Sequence, residues 1–453
     1  MDIGFEGFET SDFDVDVEDV EVKKIKKFDR MFLVGRGGSI TSVPFIENNV
    51  AYFGEANGYV YAVRIDTGET VWRFKADAMI FGSCPMVKNG KLYIGSYDYC
   101  MHCIDTETGK ELWRFRTGEK IFGSPNVKNG NVYFGSVDGY VYAVNVENGK
   151  EKWRFRTGDA VGSCPEILNG RVYIGSHDTN IYCLEEETGK EIWRFKTGGE
   201  IMNNLPLVIE NGILYFGSFD NFLYAIEAET GKEVWRFRTG EYGNSGNVTI
   251  HKNVIYFVAR DGIFYTLTLE GKEIWRYRTS GASTWQKPQI SDKGVFIISE
   301  DGFLYLIDFD GHEVWKKKID KVLVPPVFHE GRVFVGSWDC NLYAYDLEGN
   351  ELWRTPTSTK EQSYMPPAHG SFRVEIKKES HIEEETGKEK YKSKKKEESI
   401  SLSDYHVTSE YSSESEYKQK SDYDTSFVMF EGTMEVERLW ISDSKVLRPQ
   451  TLM

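Results

Sequence analysis

Cysteine and histidine stand together in one short stretch, Cys-Met-His-Cys at residues 100 to 103. Thiolate and imidazole are ligand types that zinc uses in proteins. On a β-strand, however, Cys100 and Cys103 would direct their sulfur atoms to opposite faces, because side chains alternate. Cys84 and Cys164 both occur in Gly-Ser-Cys-Pro, where we interpret them as small buried residues. We expect no metal site, since a lone pair of cysteines is a weak signal.

An aspartate recurs in phrases such as Gly-Ser-Val-Asp-Gly. The aspartates of this type are Asp98, Asp138, Asp178, Asp220, Asp261, Asp301 and Asp339. One carboxylate per turn falls far short of the roughly six to eight oxygen ligands that calcium takes. We therefore predict that these aspartates cap turns.

Amide and aromatic side chains cluster where another repeated phrase changes. Gly-Ser-Cys-Pro gives way to Ile-Met-Asn-Asn-Leu-Pro at residues 201 to 206, and further variants follow. Such a departure from a repeat is what a specific site requires. The candidate ligand or partner residues are Met202, Asn203, Asn204, Tyr242, Asn244, Trp285, Gln286 and Lys287. Trp285 could stack on a flat ligand; the alternative is that these residues line a wet channel or pack against the appended segments.

The elements that position these residues repeat about every 40 residues. The marker is a tryptophan, found at Trp72, Trp113, Trp153, Trp193, Trp235, Trp275, Trp315 and Trp353, with intervals of 38 to 42 residues. A second phrase, typified by Tyr-Phe-Gly-Ser-Val-Asp-Gly, keeps the same register. Both series define the same eight modules.

Each module contains four short apolar stretches separated by Asn-Gly, Asp-Gly or Thr-Gly pairs. Such pairs favour tight hairpins, and four strands in a period of about 40 are typical of a propeller blade. We predict an all-β, eight-bladed β-propeller of four-stranded antiparallel blades. An open array would need polar terminal caps, whereas the first and last modules keep the apolar pattern. Phe32 and Trp353 both fit the position that completes the last blade.

The phrase Trp-Arg-Phe-Arg-Thr predicts an amphipathic outer strand. Alternation places Trp113 and Phe115 on one face and Arg114 and Arg116 on the other. We expect the apolar face to pack on a neighbouring blade and the basic face to meet solvent. The eight tryptophans are therefore predicted to dock one blade on the next.

The modules resemble the pyrroloquinoline-quinone-type propeller repeat, which carries a tryptophan-docking motif with a small residue first, Gly seventh and Trp eleventh. Five blades match it in full, at Ala62, Gly68, Trp72; Cys103, Gly109, Trp113; Ala143, Gly149, Trp153; Cys183, Gly189, Trp193; and Ala225, Gly231, Trp235. The last three have a turn one residue shorter and keep Gly271 with Trp275, Gly311 with Trp315, and Gly349 with Trp353.

This resemblance implies two kinds of relative. The quinoprotein alcohol dehydrogenases of the family carry adjacent cysteines, a calcium site and a catalytic aspartate, and this sequence has no Cys-Cys pair. It is more similar to the non-enzymatic eight-bladed members, such as the propeller lipoprotein of the bacterial outer-membrane assembly machinery, although it lacks that protein's signal. We expect no catalytic residues and no cofactor; in quinoprotein relatives the quinone occupies the channel end at which the irregular residues are predicted.

Charge and hydropathy disfavour some classes of binding partner. A net charge of -16 disfavours nucleic acid, and no apolar run is long enough to span a bilayer. Residues 1 to 22 contain nine Asp or Glu and no Lys or Arg, unlike a signal peptide, so we expect a cytoplasmic location. This acidic end is either a soluble tail or a partner-binding arm.

The two ends differ from the repeats. We divide the chain into an acidic extension (1–29), the propeller (30–356), a linker (357–370) and a Ser/Lys/Glu-rich extension (371–453). Part of the last segment has the composition of disorder, while other parts alternate like strands. We expect the two ends to form one small accessory sheet.

The sequence thus favours a monomeric, non-catalytic scaffold that mediates protein-protein interaction in a cytoplasmic assembly. The alternative is a protein or oxidoreductase that binds a quinone or another flat small molecule at the mouth of the channel.

Overall fold

Thirty-two short β-strands form eight four-stranded sheets in the part of the chain that the structure describes. This computed structural model describes residues 38–240, 243–244, 247–281, 286–319, 322 and 324–357. The strands of blades 1 to 4 are β1 (Phe45–Glu47), β2 (Val50–Gly54), β3 (Tyr59–Arg64), β4 (Thr70–Lys75); β5 (Met86–Lys88), β6 (Lys91–Gly95), β7 (Cys100–Asp105), β8 (Glu111–Arg116); β9 (Asn126–Lys128), β10 (Asn131–Gly135), β11 (Tyr140–Asn145), β12 (Glu151–Arg156); and β13 (Glu166–Leu168), β14 (Arg171–Gly175), β15 (Asn180–Glu185), β16 (Glu191–Lys196). The strands of blades 5 to 8 are β17 (Val208–Glu210), β18 (Ile213–Ser218), β19 (Phe222–Glu227), β20 (Glu233–Arg238); β21 (Thr249–His251), β22 (Val254–Val258), β23 (Ile263–Thr268), β24 (Glu273–Arg278); β25 (Gln289–Ser291), β26 (Gly294–Ile298), β27 (Phe303–Ile307), β28 (Glu313–Lys318); and β29 (Val327–His329), β30 (Arg332–Gly336), β31 (Asn341–Asp346), β32 (Glu351–Pro356).

Each blade is an antiparallel meander in chain order, from a three-residue inner strand to a six-residue outer strand. The hairpins contain the Asn-Gly turns that the sequence predicts. Between β9 and β10, Asn129 and Gly130 have φ of 46° and 77°, as a two-residue hairpin requires. The eight-bladed propeller is therefore confirmed, and none of the described residues is helical.

Eight apolar clusters fill the spaces between the blades. One of them joins Tyr133 and Val141 of blade 3 to Val172 and Leu184 of blade 4, all of them buried. A similar cluster joins Phe53 of blade 1 to buried side chains of blade 8. Each sheet therefore buries both faces, because each face packs against a neighbouring sheet.

Every repeated tryptophan docks on the following blade, as predicted. Its indole N–H donates to a backbone carbonyl there, for example from Trp72 to Thr106 at 2.8 Å and from Trp153 to Glu186 at 2.9 Å. The ring lies over the glycine of the docking motif; a Cβ added to Gly109 would lie 2.7 Å from the Trp72 ring. The alternating Arg residues of the outer strands are exposed.

Blade 8 closes the ring on blade 1 through side chains and turns. Trp353 donates to the carbonyl of Ile65 at 3.1 Å, and the N–H of Ile40 donates to Ser337 at 3.1 Å. Trp353 therefore completes the last outer strand, whereas Phe32 lies outside the described residues. Among the described residues, the four strands of blade 8 come from one continuous stretch of chain, β29 to β32.

The predicted linker and both terminal extensions, with their proposed accessory sheet, lie almost wholly outside the described residues. Within the described ranges, no helix has the length and hydropathy needed to cross a membrane.

Candidate functional site

The candidate residues lie on the connectors, the segments that lead from the outer strand of one blade to the inner strand of the next. Each connector is held by two hairpins. On the connector of blade 3, the N–H of Ile121 donates to the backbone carbonyl of Ser96 in the preceding blade. The backbone carbonyl of Lys120 accepts from the N–H of Val137 in blade 3 itself. The connectors and the tips of the β2–β3-type hairpins therefore lie at the same end of the channel, which we name the mouth.

Asn203 and Asn204, on the connector of blade 5, use their backbone groups to bind other connectors. The carbonyl of Asn203 accepts from the N–H of Cys164 at 2.7 Å, and its N–H donates to Ser163 Oγ at 3.2 Å. Ser124 Oγ donates to the carbonyl of Asn204. These bonds join blades 3, 4 and 5 where the connectors meet.

The same hydrogen-bond chain continues to blades 2 and 1. Ser124 Oγ accepts from the N–H of Cys84 at 2.9 Å, and Cys84 Sγ accepts from the N–H of Val43 at 3.3 Å. Cys84 is buried, and desolvation raises the pKa of its thiol to about 11. It is therefore a neutral packing residue, as interpreted from the sequence, and a poor nucleophile at neutral pH.

Leu205 occupies the space beside these bonds. It packs against a buried cluster that includes Val43 of blade 1, Cys84 of blade 2 and Val324 of blade 8. A side chain from blade 5 thus packs on a cluster whose members come from other blades across the mouth. The two extra residues of this repeat, Trp193 to Trp235, provide the reach.

The connectors of blades 6 and 7 carry the next candidates, together with one further asparagine. Asn247, which sequence reasoning missed, donates from Nδ2 to Asn204 Oδ1 at 3.5 Å, and its N–H donates to the carbonyl of Gln286 at 2.9 Å. Asn244 is fully buried beneath Gly217. Tyr242 and Trp285 lie outside the described residues.

Lys287 is partly buried on the connector of blade 7. Desolvation lowers the pKa of its ammonium group, and the charges of Cys164 and Glu166 act in the opposite sense. Burial raises the pKa of Glu166, while Lys128 and Lys287 lower it. Lys287 thus lies within electrostatic reach of blade 4, on the far side of the channel.

Sequence reasoning missed a ring of residues at the hairpin tips, directly before the repeated aspartate in seven blades and before Asn57 in blade 1. This hairpin-tip ring differs in every blade and comprises Ala56, Tyr97, Val137, His177, Phe219, Arg260, Glu300 and Trp338. Burial lowers the pKa of Arg260, whose guanidinium carbon lies 5.0 Å from the centre of the Phe219 ring. The signal in the sequence was a single variable position inside an otherwise constant phrase.

His177 and Met202 meet at Gly162, where an added Cβ would lie 3.0 Å from His177 Nε2. His177 is 4% exposed, and desolvation lowers its pKa to about 4, so the ring is neutral at pH 7. Its Nδ1 lies 3.8 Å from Glu200, whose pKa burial and Asp159 raise to about 7.

The Cys-Met-His-Cys stretch lies within β7 and is buried. His102 bonds Glu111 at 2.7 Å through Nδ1 and Asp98 at 3.0 Å through Nε2. Burial lowers the pKa of His102, but these two carboxylates outweigh it and raise the pKa to about 9. Both nitrogens of this histidine are thus used within the blade, and the described residues contain no group of three or more His, Cys, Asp or Glu suited to a metal ion.

Five of the seven repeated aspartates cap their hairpins and also accept a hydrogen bond from the backbone that follows the preceding outer strand; they are Asp98, Asp138, Asp178, Asp220 and Asp261. Asp178 accepts from Asn180 N–H at 2.9 Å through Oδ1, and through Oδ2 it accepts from Gly158 N–H at 2.7 Å. Tyr182 donates to the same Oδ2 at 2.5 Å. These carboxylates therefore serve the repeat itself.

A family model described as outer membrane protein assembly factor BamB matches residues 56–177, 177–285 and 269–372 of this chain. These stretches cover more than half of the sequence and include most of the propeller. No curated protein sequence matches the chain significantly.

Several solved structures share the fold. BamB from Moraxella catarrhalis is 15% identical with a TM-score of 0.59, covering 68% of this chain and 96% of that one. The computationally designed protein Ika8 is 17% identical with a TM-score of 0.61, covering 70% and 98%. Quinohemoprotein alcohol dehydrogenase ADHIIG from Pseudomonas putida HK5 is 15% identical with a TM-score of 0.58, covering 72% and 77%. At these identities the similarity concerns the fold alone.

Proposed function

Since this chain belongs to the family described as outer membrane protein assembly factor BamB, we propose that it is a non-catalytic propeller scaffold that holds other proteins in an assembly. The observation that carries the proposal is the use of the mouth residues. Asn203, Asn204 and Gln286 all bind other connectors through their backbone carbonyls. Residues employed in this way stabilise a rigid ring, which suits a binding platform.

We further propose that this assembly is cytoplasmic. Six cysteines, all buried and free, support a reducing compartment, because exported proteins more often oxidise their cysteines to disulfides. Fusion to a reporter active in only one compartment tests this location independently of any partner.

Affinity capture tests the scaffold. The full chain, tagged and expressed at native level, should retain at least one stoichiometric partner after crosslinking and mass spectrometry. The designed propeller Ika8 is a suitable control because it shares the fold. Recovery of the same proteins on both baits, or of none on the full chain, would refute the scaffold.

The alternative is a flat small molecule bound at the mouth, beside Lys287. Its support is Lys287, a partly buried residue on the connector of blade 7, where burial lowers the pKa of the ammonium group and the carboxylate of Glu166 opposes that shift. Titration of the purified protein with pyrroloquinoline quinone, followed by absorbance, tests it. A saturable spectral change that Lys287→Met abolishes supports the alternative, and an unchanged spectrum excludes this quinone.

A further inference from the structure

Among the described residues, each outer strand pairs with another strand on one edge only, and blade 1 illustrates the geometry of the other edge. The N–H of Ala76 donates to the carbonyl of Gly58, and Phe74 pairs with Val60 two residues earlier. Because the hydrogen-bonding direction alternates along a strand, the peptide groups of Arg73 and Lys75 point away from β3. They are available to pair with another strand.

The charge on this edge differs between blade 1 and the other seven blades. In those seven, a Glu begins the outer strand and pairs with the cation three residues later, as in Glu111 with Arg114 at 2.8 Å and Glu191 with Arg194 at 2.6 Å. The remaining pairs join Glu151 to Arg154, Glu233 to Arg236, Glu273 to Arg276, Glu313 to Lys316 and Glu351 to Arg354.

Blade 1 has Thr70 in place of that Glu. Among the described residues, no carboxylate forms an ion pair with Arg73 or Lys75. The Arg73 guanidinium lies 5.1 Å and the Lys75 ammonium 4.3 Å from the centre of the Tyr59 ring, so both cations are held on one face of the blade. This outer strand therefore carries two cations without a carboxylate, in a chain whose net charge is -16.

The same strand carries aromatic side chains on the face opposite the cations. Val71, the bulge residue of this strand, is 51% exposed. Trp72 and Phe74 are partly exposed on the opposite face. A strand laid on this edge would meet cations with one set of its side chains and aromatic rings with the other set.

We infer that the outer strand of blade 1 is a docking edge for an extended segment of a partner protein in which acidic and apolar residues alternate. The inference rests on the proposed scaffold function and names the chemistry of its partner. The segment pairs through main-chain hydrogen bonds, its carboxylates lie opposite Arg73 and Lys75, and its apolar side chains lie beside Trp72 and Phe74. In the seven other blades, the resident Glu already neutralises the first cation and would repel the segment.

A peptide in which Asp and Val alternate is the probe, and one with Lys in place of Asp is its control. Fluorescence anisotropy with the full chain should detect saturable binding of the acidic peptide only, weakening as salt is added. Hydrogen exchange should slow at the amides of Arg73 and Lys75 when this peptide is bound.

Thr70→Glu is the sharpest variant because it gives blade 1 the residue that the other blades have, so folding is expected to be retained. It should weaken peptide binding by about tenfold through ion pairing with Arg73 and repulsion of the peptide. Arg73→Glu combined with Lys75→Glu should abolish binding. The matched control, Arg194→Glu with Lys196→Glu in blade 4, should leave binding unchanged.

Equal binding by wild type and Thr70→Glu, or equal binding of both peptides, would overturn the docking edge. A concentration-dependent dimer that Thr70→Glu dissociates in the absence of peptide would identify a second copy as the occupant and would also overturn it. Capture of the same partners by wild type and Thr70→Glu would refute this edge while leaving the scaffold intact.

Discussion

The glycine of the docking motif is needed for two separable reasons. Gly109 has φ of 70° and lies against the Trp72 ring, whereas Gly130 has φ of 77° with no atom within 4 Å of an added Cβ. Both positions disfavour an L side chain, but only the first also needs the space.

Alanine at these two positions should separate the cost of the left-handed backbone from the cost of the contact with the tryptophan ring. Gly130→Ala should cost about 1 kcal/mol from the left-handed backbone alone. Gly109→Ala should cost about 2–4 kcal/mol, because the methyl group also displaces the indole of Trp72. Urea denaturation measures both; equal losses would show that the tryptophan adjusts without cost.

His102 replaces the tyrosine that other blades carry beside the repeated aspartate. Tyr142, at the equivalent position, donates to Asp138 at 2.7 Å. His102 instead bonds both Asp98 and Glu111, which hold its pKa at about 9, above the ordinary 6.5. Folding therefore favours the protonated ring.

This shift predicts a pH dependence. Because the pKa of His102 is raised in the folded state, its stabilisation is complete below pH 6.5 and disappears as pH rises through about 9. His102→Tyr should remove about 3 kcal/mol of this pH-dependent stability. Unfolding free energies of both proteins near pH 6.5 and pH 9 test it. A constant difference between them would contradict the charged histidine.

At the scale of elements, the connectors decide how open the mouth is. The connector of blade 5 carries Leu205 to the cluster that contains Val43 and Val324, far round the ring. The connector is thus a structural crosslink as well as a link between blades.

Leu205→Asp should destabilise the ring by about 1–3 kcal/mol, because a carboxylate would be placed against apolar side chains. Leu112→Asp is the control, since Leu112 is 49% exposed on an outer strand and should change stability by less than about 0.5 kcal/mol. Thermal unfolding of the two variants gives the comparison. Similar melting temperatures would mean that Leu205 faces water.

At the scale of the whole molecule, the seam between blades 8 and 1 differs from the other interfaces between blades because no connector crosses it. At seven interfaces a connector joins the blades covalently, whereas at the seam Trp353 and Ile40 provide non-covalent bonds. A closed ring depends on all its interfaces, so the seam should open first.

Trp353→Ala should therefore be more disruptive than Trp193→Ala, although both remove a docked indole with similar bonds. We expect a loss of about 3–5 kcal/mol at the seam and hydrogen exchange that rises selectively in blades 1 and 8. Trp193→Ala should lose less, with its effect confined to blades 4 and 5. Identical exchange patterns would show that the seam is no weaker than other interfaces.

The sequence alone determined the repeat and therefore the fold. Eight tryptophans in register, each with a glycine four residues before it, predicted eight blades and the docking of each on the next. These predictions succeeded because they depend on local spacing: a turn residue and a ring at fixed separation give the same geometry in every blade.

Only the tertiary structure decided which residues meet across the channel. Leu205 packs on the cluster that contains Val43 and Val324, and Lys287 lies within electrostatic reach of Glu166, although no spacing in the sequence links these positions. Likewise, the ion pair between Glu111 and Arg114 showed that Arg73 and Lys75 of blade 1 have no such carboxylate partner among the described residues. Closing the ring brings residues from distant repeats together, and such contacts depend on the curvature accumulated over all eight blades, which no single repeat encodes.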